Sequence, residues 1–306
     1  MLFAPPERIQ TTVFARVPDA LRRPRRSDWA DANRGGLHVD CFLEGPSFDR
    51  DGNLWVTDIP NGRILRVSPA GAFELVAEYD GEPNGLKIDR EGRVFLADYK
   101  NGILRLDPAT GTVEPVMPRR HSERFRGPND LVFAGNGDLY FTDQGQTGLH
   151  DPTGRVYRLT AAGRLECLID RVPSPNGIAL SPDERTLYIA VTRANAVWRM
   201  PLMADGWPSK VGCFLQLSGG TGPDGIAVLE SGGLAVCHVG LGAIWLFGPT
   251  GEPQWRVDSC AGHATTNLAF GGADRRSLYI TESETGQILR AELPVPGLPL
   301  YSHAPG

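Results

Sequence analysis

Ser174-Pro175-Asn176-Gly177-Ile178 and Gly222-Pro223-Asp224-Gly225-Ile226 are two copies of one short signal, and it recurs as Glu44-Gly45-Pro46, Pro83-Asn84-Gly85, Pro128-Asn129-Asp130 and Thr266-Asn267. Four residues beyond each anchor stands an apolar position: Phe48, Ile88, Phe133, Leu180, Val228 and Phe270. The anchors Glu44, Asn84, Asn129, Asn176, Asp224 and Thr266 are 40, 45, 47, 48 and 42 residues apart. That period matches a four-stranded propeller blade.

A second run follows each anchor, as in Leu54-Trp55-Val56-Thr57-Asp58, Leu139-Tyr140-Phe141-Thr142-Asp143 and Leu278-Tyr279-Ile280-Thr281-Glu282. These runs are β-branched and aromatic, and turn pairs such as Asp51-Gly52, Glu91-Gly92 and Asn136-Gly137 precede several of them, so each reads as the second arm of a hairpin. A third run comes next, typified by Arg63-Ile64-Leu65-Arg66-Val67 and Arg155-Val156-Tyr157-Arg158-Leu159, with arginine where an outer strand would meet solvent. Fourth strands are expected at 73–77, 113–117, 165–169, 211–215 and 253–257. The sixth unit lacks one because the chain turns to Pro294, Pro296 and Pro299. A strand within 11–17 can fill that gap and join the ends of the ring, leaving only short, protected edges. The expectation is an all-β, six-bladed β-propeller of four-stranded antiparallel blades over 40–293, closed by an N-terminal strand, with 1–306 as one domain.

Composition bounds the remaining possibilities. The 37 glycines and 25 prolines supply the punctuation that many tight turns require. No run of apolar residues is long enough to span a membrane, and Met1-Leu2-Phe3-Ala4-Pro5-Pro6 lacks the pattern of a secretory leader, so a soluble, cytoplasmic protein with no membrane partner is expected. The five cysteines (Cys41, Cys167, Cys213, Cys237, Cys260) form no CxxC pair and mostly sit in strand runs, which reads as small apolar filling. A net charge of −5 argues against a nucleic-acid partner. The insertion 19–36 carries Trp29, a basic cluster and Gly35-Gly36. It reads as a lid over the channel mouth or a homodimer contact, with an ordered surface loop as the plain alternative.

Residues just before the innermost strands of a propeller converge on its central channel. Glu44, Asn129, Asn176 and Asp224 therefore bring two carboxylates and two amide carbonyls from four blades to one place. An all-oxygen set of this kind suits one divalent cation, Ca²⁺ first and Mg²⁺, Mn²⁺ or Zn²⁺ after it. Asn-Gly and Asp-Gly are also ordinary turn dipeptides, and on that ground Asn84 is left out of the set. Glutamate at Glu44 and aspartate at Asp224, at one fixed repeat position, are what turn statistics do not explain.

These elements resemble the senescence marker protein/gluconolactonase family, which includes regucalcin and bacterial sugar lactonases, with a more distant similarity to diisopropylfluorophosphatase. The matching elements are Glu44-Gly45-Pro46, Gly127-Pro128-Asn129-Asp130-Leu131 and the two signals quoted first, and the resemblance spans about 40–293 in order and register. It implies a divalent metal held by Glu44, Asn176 and Asp224, with Asn129 as a fourth ligand or as a contact to substrate. In animal members of the family an arginine two residues before that asparagine helps bind the sugar. Here that position is Gly127, with Arg126 one further back.

The chemistry such a site supports is hydrolytic opening of a small-molecule lactone, a sugar lactone by the resemblance, with the ion polarising the carbonyl and activating water. No GxSxG elbow is present to suggest a serine hydrolase. Asp224 and Asn129 carry the catalytic assignment, with Asp224 as general base. Asp224 as nucleophile or as ligand alone is the alternative. Asp143, Gln144, Arg126, His238 and His38 are candidates for the substrate pocket. A phosphotriesterase-like hydrolase and a non-enzymatic binding propeller are the competing readings.

Overall fold

The alternating β-branched and aromatic runs pair as the repeat predicts. In the computed structural model, which describes residues 3–303, blade 1 is the antiparallel meander Leu43–Phe48, Leu54–Asp58, Arg63–Val67 and Phe73–Glu78. Met1 and Leu2, where the stretch read as leaderless begins, and 304–306 lie outside the described residues. The other inner strands are Pro83–Ile88, Pro128–Phe133, Pro175–Leu180, Gly222–Val228 and Thr265–Gly271, and each lies beside the next around a closed ring. Blade 6 takes its fourth strand from the N-terminus, where Thr12–Arg16 pairs antiparallel with Gln287–Glu292. The protein is a six-bladed β-propeller.

The core lies between blades. Apolar clusters fill the six gaps between adjacent sheets, such as Leu86, Leu96 and Leu104 with Ile64 between blades 1 and 2, and Ile178, Leu187 and Ile189 with Val156 between blades 3 and 4. Arg63 departs from the solvent-facing expectation: it is fully buried and ion-paired with the equally buried Asp58. Two cysteines also depart from the filler reading, since Cys213 and Cys260 are exposed while Cys41 and Cys237 are buried.

Three features lie outside the repeat. Glu7–Gln10 adds a parallel strand to the edge of blade 5. Within the insertion, Asp28–Asn33 forms a short helix whose first turn is capped when Ser27 Oγ accepts from Ala30 N at 3.1 Å. That helix docks on blades 1 and 2, where Trp29 packs on Phe42 and its N–H donates to Glu82 Oε1 at 2.8 Å. The third feature is the C-terminal segment, which crosses the opposite end of the channel. Leu298 N donates to Val228 O at 2.9 Å, Ser302 Oγ to Phe48 O at 3.1 Å, and the Tyr301 ring stacks on Phe133 with centroids 4.8 Å apart. Below the anchors the channel is a cavity of about 210 Å³ whose far end is lined by 298–301. Among the described residues no helix is long and apolar enough to cross a membrane.

Candidate active site at the channel mouth

Each inner strand breaks register at its anchor. Pro83, Pro128 and Pro175 still face the ends of the second strands, at Asp98, Asp143 and Val191, but pairing resumes only at Leu86, Leu131 and Ile178. Two residues thus oppose one, and such a bulge re-aims side chains out of the ladder, here toward the channel. The backbone behind the anchors is fixed from the preceding blade: Thr57 Oγ1 donates to Asn84 O at 2.7 Å, and Thr142 Oγ1 to Asn176 O at 2.6 Å. Thr192 Oγ1 donates to Pro223 O at 2.8 Å, just before Asp224.

Blades approach so closely here that glycine is required beside the anchors. A Cβ on Gly45, whose φ is +55°, would stand 2.6 Å from Asn84 O, and one on Gly177 would stand 2.4 Å from Asp224 O. Gly45→Ala is therefore expected to cost roughly 2–4 kcal/mol, measured by denaturant unfolding, because strain and backbone overlap add. A loss below about 0.5 kcal/mol, typical of a surface substitution, would contradict this account of the ring.

Glu44, Asn129 and Asn176 are buried, while Asp224 is partly accessible. Burial pushes the Glu44 carboxyl up to about 7, against hydrogen bonds from Gly45 N and from Asn267 Nδ2, which donates to Glu44 Oε2 at 2.8 Å. Asp224 is raised well above the usual carboxylate range, first by burial and then by the charges of Glu44 and Asp130. A hydrogen bond with Asn176 and the positive charge of Arg193 oppose that rise. One residue past the Asn129 anchor, Asp130 Oδ1 is 3.3 Å from Lys87 Nζ. The carboxyl groups of Glu44, Asp130 and Asp224 thus share this mouth with the Lys87 ammonium and the charge of Arg193, and the Oδ1 of Asn176 is buried with no hydrogen-bond partner.

An excess of carboxylate beside an orphaned amide oxygen is a donor set for a hard cation, and the residues fit that group. Glu44, Asn129, Asn176 and Asp224 are the side chains that would hold it. Among the described residues no three His, Cys, Asp or Glu side chains are grouped to hold a metal by themselves. A cavity of about 810 Å³ lies elsewhere, at the other ends of blades 1 and 6, lined by Phe48, Arg275, Tyr279 and Leu300 and by none of the anchors.

The remaining sequence-predicted residues separate by role. Asp143 is buried, pushed up to about 7 chiefly by burial, and its Oδ1 accepts from Arg126 N at 2.7 Å. Asp58 and Asp98 do the same in their blades, accepting from Phe42 N and Glu82 N, each at 2.9 Å. The acid ending the second strand thus pins the segment leading into its own inner strand. His238 is buried with both ring nitrogens engaged, Nε2 with Gly219 O at 2.9 Å and Nδ1 accepting from Trp245 Nε1 at 3.3 Å. Its pKa is lowered, chiefly by burial. Arg126 is exposed, Gln144 is half-buried and bonded to Gln146, and His38 is exposed at the end of the insertion. At Gly127, a Cβ would meet Gln146 Nε2 at 2.7 Å and the Tyr99 ring at 2.8 Å. Tyr99 and Gln146 thus crowd the place of the arginine of the animal members.

Sequence reasoning passed over Asp130, Lys87, Asn267 and Arg193. Asp130 and Asn267 had a signal, since they occupy the slot after the anchor that is glycine in blades 1, 2, 4 and 5. Arg193 had none, because it lies in the short turn after the second strand of blade 4, away from the anchor positions.

Residues 42–284 match the model of the SMP-30/gluconolactonase/LRE-like region, and the chain belongs to that family. It is 31% identical over 275 residues to the gluconolactonase of Zymomonas mobilis, covering 79% of this chain and 76% of that one. It is 30% identical over 242 residues to the lactonase drp35 of Staphylococcus aureus, covering 75% and 72%. Among solved structures, a gluconolactonase from Xanthomonas campestris superposes with a TM-score of 0.74 at 26% identity, covering 92% of this chain and 99% of that one. Regucalcin from Agrobacterium tumefaciens, a calcium-binding protein, superposes with a TM-score of 0.78 at 24% identity over 96% and 99%, a likeness of fold. The family supports lactone hydrolysis.

Proposed function

We propose that the protein is a divalent-cation-dependent lactonase acting on a sugar lactone or a related small lactone. The observation that carries this is the pairing of two carboxyl groups raised by burial, Glu44 and Asp224, with the unpartnered amide oxygen of Asn176. When bound, a divalent cation supplies the Lewis acid that polarises the lactone carbonyl and makes water a nucleophile near neutral pH.

The chain's own residues do the rest. Glu44 is held by Gly45 N–H and the Asn267 amide, so its carboxylate enters the mouth in one orientation. The Asn176 side chain orients Asp224, whose carboxylate takes the proton of the attacking water as a C–O bond forms at the lactone carbonyl. As the ring C–O bond breaks, that proton passes to the leaving alkoxide, giving the hydroxy acid. Arg126 and Gln144 are assigned to recognising the substituents of the lactone, and the crowding of Gly127 by Tyr99 and Gln146 limits the bulk accepted beside them.

Acid release from a panel of γ- and δ-lactones, run beside a phosphotriester with chelator-stripped protein and with Ca²⁺, Mg²⁺, Mn²⁺ or Zn²⁺ restored, tests the reading. Cation-dependent ring opening supports it. Turnover of the phosphotriester alone would replace it with the phosphotriesterase reading.

The insertion is proposed as a lid over this mouth, its helix seated through Trp29 and Glu82 beside the Asn84 anchor. Deleting 19–34 is expected to raise KM about tenfold or more, as loss of substrate positioning does. Unchanged turnover and unchanged KM in a folded variant would count against the lid.

A further inference from the structure

Asn84 has the same local sequence as Asn176, Pro-Asn-Gly followed by an aliphatic residue, and occupies the equivalent bulge of its own blade. A turn role would explain an asparagine by positive φ, but Asn84 is not among the residues with positive φ. Its side chain is buried, with 5% of its surface exposed, and its Oδ1 has no hydrogen-bond partner. Thr57 Oγ1 holds its backbone carbonyl, and that carbonyl lies against Gly45, the neighbour of Glu44. A buried carbonyl left unmatched costs its desolvation with nothing returned within the chain, and an apolar side chain would avoid that cost. Asn84 therefore shares with Asn176 the two properties that mark a donor awaiting a ligand: the anchor position and an orphaned oxygen.

We propose that Asn84 is a fifth oxygen donor of the mouth cluster, setting its preference for a large, highly coordinated cation. This rests on the cation reading above. Ca²⁺ takes six to eight oxygen ligands in flexible geometry, whereas Mg²⁺ keeps several waters in a strict octahedron and Zn²⁺ is satisfied by four donors. An added amide from blade 2 therefore favours Ca²⁺ and does little for the other two. A carboxylate at the same place would supply the same oxygen with charge.

The test is calorimetric titration of chelator-stripped protein with CaCl₂, MgCl₂ and ZnCl₂, for wild type, Asn84→Leu and Asn84→Asp, with thermal melts of each metal-free form. Expected are a Ca²⁺ Kd weakened about 10–100-fold in Asn84→Leu, Mg²⁺ and Zn²⁺ affinities changed less than about threefold, and Ca²⁺ binding restored in Asn84→Asp. The metal-free Tm of Asn84→Leu should equal or exceed that of wild type. A folded Asn84→Leu that binds Ca²⁺ as wild type does overturns the proposal, including the case in which only KM for a lactone changes. Wild type that binds none of the three ions overturns the cation reading itself, so the two failures are distinct.

Discussion

Asp224→Ala is expected to lower kcat for lactone opening by about 10²–10⁴-fold, the range that a positioned general base contributes. The fold should survive, because the residue replaced is one whose carboxylate form is opposed by burial and by the charges of Glu44 and Asp130. Asp224→Asn separates the roles that sequence left open. An amide there still offers an oxygen to a cation but cannot take a proton. A variant that binds the cation yet turns over as poorly as Asp224→Ala shows that the carboxylate takes part in the chemistry, as base or as nucleophile, whereas a variant that keeps turnover makes Asp224 a ligand only. Rates should be taken at saturating cation so that a weakened Kd is not mistaken for lost chemistry.

The second large effect is on stability against pH in the metal-free protein. The Glu44 carboxyl stands at about 7 in the fold and near 4.5 when unfolded. A raised carboxyl favours the fold below its unfolded value, and that contribution is lost as pH climbs from about 4.5 through about 7. The shift corresponds to roughly 3 kcal/mol from this group. Metal-free wild type should therefore lose stability over that window, and Glu44→Gln should lose less. A bound divalent cation should restore wild type at pH 8 and leave Glu44→Gln nearly unmoved. Denaturant unfolding across pH 4–9, with and without chelator, reads all of this. Parallel curves for the two proteins would remove Glu44 from the charged cluster.

The ring was legible because its determinants are local and repeated. The anchor, the apolar residue four positions on and the β-branched second run recur at blade period, and each repeat presents the same bulge. The N-terminal closing strand followed from counting strands in the sixth unit. The parallel strand Glu7–Gln10 was not legible: it is short and polar, and its pairing spans almost the whole chain. The six-residue helix Asp28–Asn33 is too short for periodicity and is held by tertiary contacts, Trp29 against Phe42 among them. The anchors could be read as a site because glutamate and aspartate intrude at a fixed position. The recurring acid at Asp58, Asp98 and Asp143 was equally visible, but its role as a backbone pin depends on hydrogen bonds that sequence does not disclose. Asn84 was set aside because turn statistics explain it in sequence, and only its φ and its unmatched oxygen remove that explanation.

Whether lactone opening depends on a cation at the channel mouth is read by an activity titration. Chelator-stripped protein at fixed concentration receives Ca²⁺ in sub-stoichiometric steps, and acid release from an aldonolactone is followed at each step, with bound ion counted in parallel. Activity should rise linearly with bound ion and break at one cation per chain. Full activity in stripped protein, or one tightly bound ion with no ring opening on any lactone, would contradict it.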